Sequence, residues 1–220
     1  MNSPTHTLLA LALLSRRSNF EHDADVFSDE TPSNRNYKNK FAKQNLAVFA
    51  GSIIPDAAIY LWAPYQRFVN GVSGETLWRE LYFAEPMQNL IAYFNSIPIY
   101  AALGVIGYAA RAKTWGKLML FFALAALIHM ATDLPVHNHD AYRHFWPFSD
   151  WRFISPFSYY ERDHHAGWVS LIEAMIALIS IIVLWRRFPK LWVKVVLGLL
   201  ALFYIAMPVL LRLASLSIES

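Results

Sequence analysis

Six of the chain's eight histidines lie between His129 and His165. The stretch opens inside an apolar run that ends in HMATD, continues as LPVHNHDAYRHFWPFSDWRF and closes at RDHHAGW. His129 and Asp133 are four residues apart, which places them on one face of a helix. His137, His139, Asp140 and His144 follow, and then His164 and His165. Imidazole and carboxylate are the ligands that borderline divalent metals such as zinc accept. The bland alternative for His129 and Asp133 is a buried hydrogen-bonded pair closing a helix; the further His and Asp directly downstream favour metal. Asp133-x-Pro135-x-His137 turns the chain back over the helix end, so His137 is the strongest of the downstream ligand candidates, with His139 the alternative. His165 is preferred to His164 because it sits nearer the apolar run that follows. Arg143, Asp150 and Arg152 are expected to form ion pairs within the loop, unless Arg143 meets an anionic substrate.

Holding such a cluster falls to an unusually apolar chain. Of 220 residues, 56% are hydrophobic and 15% aromatic. Mean hydropathy is positive. This fits a small all-α polytopic membrane protein better than a soluble domain. With no cysteine, disulfides and thiolate metal sites are excluded. The formal charge of +3 gives no reason to expect nucleic acid as a partner.

Residues 1–220 are read as one membrane-embedded helical domain of about five full spans plus a short N-terminal helix. The first apolar run, Thr7 to Leu14, is too short to cross a bilayer, with Ser3-Pro4 as its start. It lacks the flanks of a cleaved signal peptide. Residues 18–45 are a polar, solvated insert, acidic then basic, in which His22 is a surface residue. Spans are expected over 46–63, 90–110, 118–133, 167–185 and 195–214. Residues 64–89 are expected as a loop with a surface helix, and 134–166 as a His- and aromatic-rich loop over the site. Alternating five spans puts the basic segments 16–43, 111–117 and 186–194 on one side, the cytoplasmic side by the positive-inside rule.

That topology gathers the scattered polar groups at the other side. Asp56 follows Pro55 about two turns below the outer end of its span, at about 1.5 Å per residue. A carboxylate at that depth is a functional candidate rather than a turn residue. Asn95, the His129/Asp133 pair and His165 fall at the same level, and His6 joins them if the first helix inserts. Glu173 lies about two turns deeper, as a supporting or proton-handling group, or as a helix–helix hydrogen-bonding one. Asp133 is the candidate bridge if two metals are present. A divalent metal here acidifies a water and polarises a phosphoryl or carbonyl oxygen.

Several pieces resemble the YdjM-like family of bacterial membrane-bound metal-dependent hydrolases. They are Pro4-Thr5-His6, Gly51-x-x-x-Pro55-Asp56, His129-x-x-x-Asp133, the run from Pro147 to Phe153, and His164-His165. That family in turn is similar to zinc-dependent phospholipase C and P1-type nucleases, all-helical enzymes that hold zinc ions with His and Asp. Where the family often has a histidine in His-Ser-(Leu/Ile)-Pro, this chain has Asn95-Ser96-Ile97-Pro98. Asparagine is a poor zinc ligand but binds harder metals through its carbonyl oxygen. The histidine-x-x-x-glutamate of the soluble relatives is also missing after His165.

The resemblance implies a metal-dependent hydrolase of the bacterial inner membrane, acting at the periplasmic side on a phosphoester such as a lipid head group. Zinc, or manganese in its place, would be held by His6, Asp56, His129, Asp133, His137 and His165, with Asp133 and Glu173 carrying the chemistry. The alternative is a non-catalytic accessory subunit of a membrane complex, with membrane-protein partners. A metal-binding transport or sensor protein is a third option.

Overall fold

The computed structural model describes residues 1–16 and 32–218, with side chains described over 1–16 and 42–206. His22 and the acidic start of the polar insert lie outside the described residues. No strand occurs among the described residues. Helix α1 (Ser3–Leu14) starts with Pro4 in its first turn, where a missing N–H costs nothing. At about 1.5 Å per residue it is too short to cross a 30 Å hydrocarbon layer.

Helix α2 (Pro32–Ile53) begins far earlier than expected. The basic half of the insert, taken as loop, is helix. Its Lys, Arg and Gln residues are good helix formers, and extending a helix that continues into an apolar run avoids a second nucleation. At Pro55 the α-helix tightens into a 3₁₀ turn, Ile54–Asp56, and resumes as α3 (Ala57–Pro64). Proline has no N–H for the regular ladder. The segment 64–89, expected as a loop with a surface helix, is mostly helical turns: a π-type turn at Tyr65–Val69, α4 (Gly74–Thr76) and a second π-type turn at Leu77–Leu81.

Helix α5 (Glu85–Phe94) stops at Asn95, and Ser96 restarts the chain as α6 (Ile97–Ala109) by accepting a hydrogen bond from the Ile99 N–H. Helices α7 (Thr114–Asp133), α8 (Ala166–Arg187) and α9 (Leu191–Ile218) follow. Among the described residues, four helical stretches are long and apolar enough to cross a membrane: Ala42–Val69, Glu85–Ala109, Thr114–Val136 and Ala166–Arg187. The expected last span falls on α9, which is apolar over Leu191–Ala206.

Helix α7 is the hub, packed against α6, α2 and α1, while α8 holds α1 from the other side. Small residues make the close packing possible. Ala123, Ala125 and Ala126 are fully buried on α7. A Cβ added at Gly51 would stand 2.1 Å from the Phe122 carbonyl oxygen, so only glycine lets α2 come this near to α7. The loop after α7 is stitched down by backbone hydrogen bonds. Ile97 N–H donates to His144 O (2.8 Å), Ser155 N–H to His137 O (3.0 Å) and Tyr159 N–H to Val136 O (3.0 Å). Described residues of all three basic segments meet at the far end of the bundle. Arg16, Arg111 and Lys117 line one cavity, and the Arg187 guanidinium donates to the Leu11 and Ser15 carbonyls at the end of α1.

Candidate metal centre

Five of the expected ligands come together from four segments. Asp133, at the C-terminal end of α7, is the middle of the group. His6 Nε2 lies 2.8 Å from its Oδ1 and His129 Nε2 3.1 Å from its Oδ2. His137 Nε2 is 3.4 Å from Oδ1. Asp56 joins through His129, with Oδ1 3.5 Å from its Nε2. The His6 and His129 rings stack at 3.8 Å, and both Nε2 atoms face Asp133. Two donors about 2.0–2.1 Å from one tetrahedral ion stand roughly 3.3 Å apart. The observed spacings fit that requirement. His6, His129 and Asp133 form a group that can hold a metal ion, with ligand atoms within 4.8 Å of one another.

The outer ring nitrogens decide what the inner ones do. The Nδ1–H of His129 donates to the Ser52 carbonyl oxygen at 2.8 Å. A carbonyl only accepts, so the proton is on Nδ1. The Thr132 hydroxyl, which also reaches the Ile128 and His129 carbonyls, lies 2.9 Å from His6 Nδ1. His137 Nδ1 donates to Asp140 Oδ2 at 2.9 Å. Each histidine thus has Nδ1 held and Nε2 turned toward Asp133, an arrangement that fixes ring direction in metal sites. His129 Nε2 is buried with no hydrogen-bond partner. An unsatisfied buried nitrogen aimed at a carboxylate fits a ligand position.

Each anchor has a local cause. Gly51 brings α2 close enough for the Ser52 carbonyl to reach α7, next to the proline that breaks the helix. Thr132 bonds back to its own helix, as threonine does there. The 3₁₀ turn Leu134–Val136 folds His137 back over the end of α7. Burial opposes a charge on His137, but Asp133 and Asp140 outweigh it and push its pKa up to about 9. His144 is buried too, which lowers its pKa against the hydrogen bond its Nδ1 donates to the Asn95 carbonyl. The Met1 ammonium lies 2.9 Å from Asp133 Oδ1, and the Met1 carbonyl 3.1 Å from His6 Nε2. Asp56 accepts a hydrogen bond from the Ser3 hydroxyl.

The other expected residues lie elsewhere. His165 is exposed, in the left-handed region at φ 62° before α8, with its ring 5.5 Å from Phe157. His139 is exposed against Phe83. Glu173 is buried beside α1, where Oε1 accepts from the Asn2 N–H (2.7 Å) and the Thr5 hydroxyl (2.8 Å). It therefore reaches the centre through the first turn of α1, which carries His6. Asn95 is buried and donates to the Pro55 carbonyl, and its Oδ1 has no partner. Arg143 pairs with Asp150 at 2.9 Å, as its loop position suggested, while Arg152 donates to the Ala141 carbonyl. Ser52 and Thr132 were not singled out from sequence. The only signals were Ser52 beside Gly51 and Thr132 beside Asp133. Comparison with protein-family models, with curated proteins and with solved structures gives no match to this chain.

Proposed function

We propose that this chain is a metal-dependent phosphoester hydrolase of the bacterial inner membrane, related to the YdjM-like family, with five spans and its centre on the periplasmic side. The observation that carries the proposal is the convergence of three histidines, each pinned through Nδ1, on the two oxygens of Asp133. An imidazole and carboxylate set of this kind suits zinc, with manganese as the alternative. When bound, such a cation supplies Lewis acidity toward a phosphoryl oxygen and acidifies a water.

The chain's own residues then have distinct tasks. Asp133 sets the spacing of the imidazoles. Asp56 has the most exposed side chain of the five, at 13%, and is placed to take a proton from a water at the open side of the cluster. Glu173 steadies His6 by holding the first turn of α1. A phospholipid head group is the favoured substrate, since the centre lies at the end of apolar helices.

A second reading has its own support. His6, His129, Asp133 and His137 are almost completely buried, which also suits a structural metal in a non-catalytic accessory subunit. Elemental analysis of the detergent-purified protein beside His129→Ala and Asp133→Ala separates the two, followed by a screen of phosphoester and phospholipid substrates. The hydrolase proposal expects about one to three equivalents of metal and turnover, both lost in each variant while the helices persist. Metal without turnover turns the proposal to the accessory subunit. A folded, metal-free wild type rejects both.

A further inference from the structure

The end of the bundle opposite the His/Asp centre holds a cavity of about 750 Å³. Its polar wall is Arg16, Gln44, Arg111, Thr114 and Lys117. The three cations come from three places: the end of α1, the turn between α6 and α7, and the first turn of α7. No carboxylate lines the cavity among the described residues, and none of the three cations has an acidic partner among them. Asn45 grips the backbone of Arg16 from both sides, accepting from its N–H (3.0 Å) and donating to its carbonyl (3.1 Å). That fixes the Arg16 backbone at the cavity wall. Arg111 is steadied by the Tyr108 ring, 4.1 Å away, and by the Tyr108 carbonyl.

The surrounding electrostatics run the same way. The first turn of α7 contains no acid, and its N-cap, Lys113, makes no side-chain cap. The positive end of the helix dipole thus adds to Arg111, Lys113 and Lys117 instead of offsetting them. Like charges are gathered here at a cost to folding, which an anion would relieve. The rest of the wall is apolar, with Leu118, Leu120 and Phe121. The cavity opens where two apolar helices, Glu85–Ala109 and Thr114–Val136, have their ends. Charged mouth and apolar wall match the two halves of an anionic phospholipid.

We propose that this cavity binds a phosphate-bearing anion, through Arg16, Arg111 and Lys117. An anionic lipid head group and a soluble phosphate share this chemistry. Basic pockets between membrane helices recognise such groups. The site is separate from the His/Asp centre: Lys117 and His129 are twelve residues apart on α7, about 18 Å along its axis.

The full chain is placed in nanodiscs of neutral phosphatidylcholine, with and without phosphatidylglycerol, and bound lipid is counted by native mass spectrometry. Inorganic phosphate is titrated in a parallel neutral sample, followed by thermal stability. The proposal expects phosphatidylglycerol, inorganic phosphate or both to bind, and high salt to weaken binding. Lys117→Gln and Arg111→Gln should each weaken it about fivefold, and the triple change with Arg16→Gln about 100-fold. Helix content by circular dichroism equal to wild type shows that each variant is folded, and the single variants carry the test if the triple one is not. Phosphatidylglycerol binding that inorganic phosphate does not displace identifies a lipid; phosphate binding without lipid identifies a soluble ligand. Equal binding by wild type and the single variants, or equal retention of neutral lipid, overturns the proposal.

Discussion

The two ends of the bundle treat charge in opposite ways. At one end, Asp133 and Asp56 face His6, His129 and His137 inside the protein, and each imidazole is fastened from behind. At the other, Arg16, Arg111 and Lys117 stand around an open cavity with no carboxylate among the described residues beside them. Desolvated charges persist only where partners meet them at close range, so the first end demands fixed geometry. Exposed cations keep their water and tolerate loose placement. The first end therefore has a geometry that can hold a metal ion, and the second has the open cationic wall proposed above to meet an anion.

The contrast can be broken hardest at Gly51. Gly51→Val pushes a side chain into the Phe122 carbonyl, and α2 has to move off α7. The expected result is a loss of about 1–3 kcal/mol of stability together with the Ser52–His129 hydrogen bond. Thermal unfolding and metal analysis should fall together, and a stable variant with full metal content would contradict this account of the packing. Thr132→Val keeps the shape but removes the hydroxyl behind His6. Metal affinity should drop about 10–100-fold, measured by competition with a chelator, with little change in helix content.

Glu173→Gln tests the more distant support. It leaves Asn2 and Thr5 with a neutral acceptor, at a cost of roughly 1 kcal/mol. Affinity should fall a few-fold, and Glu173→Leu should fall further. An effect on turnover with metal binding intact would instead give Glu173 a direct part in proton transfer. The smallest effect sharpens the comparison from the other side. Neutralising Arg111 and Lys117 should leave metal content unchanged, because about 18 Å of α7 separates the two ends. Loss of metal in that double variant would mean that the ends are coupled.

Much of this organisation is visible in the chain itself. Apolar runs announce the helices, because spanning or packing in an apolar layer needs long stretches without charge. His129 and Asp133 can be paired from their spacing, since helical periodicity is local. Asp56 draws attention because a carboxylate beside proline in an apolar run is expensive. The basic segments sort to one end through simple alternation of helices. The helical start at Pro32 was hidden because polar composition describes solvent exposure, not backbone conformation.

Tertiary structure alone decided the rest. His137 reaches the cluster while His139 meets Phe83 and His165 meets Phe157. The choice depends on how backbone hydrogen bonds tie the 134–166 loop to the start of α6 and to itself. The supporting partners were equally hidden. Ser52 acts through its carbonyl, which every residue possesses, and only the close approach at Gly51 selects it. The cavity of Arg16, Arg111 and Lys117 joins segments remote in sequence, so no spacing rule could have found it. Sequence periodicity records the face of one helix; which faces meet, and which side chains have their backs held, is settled by packing across the whole chain.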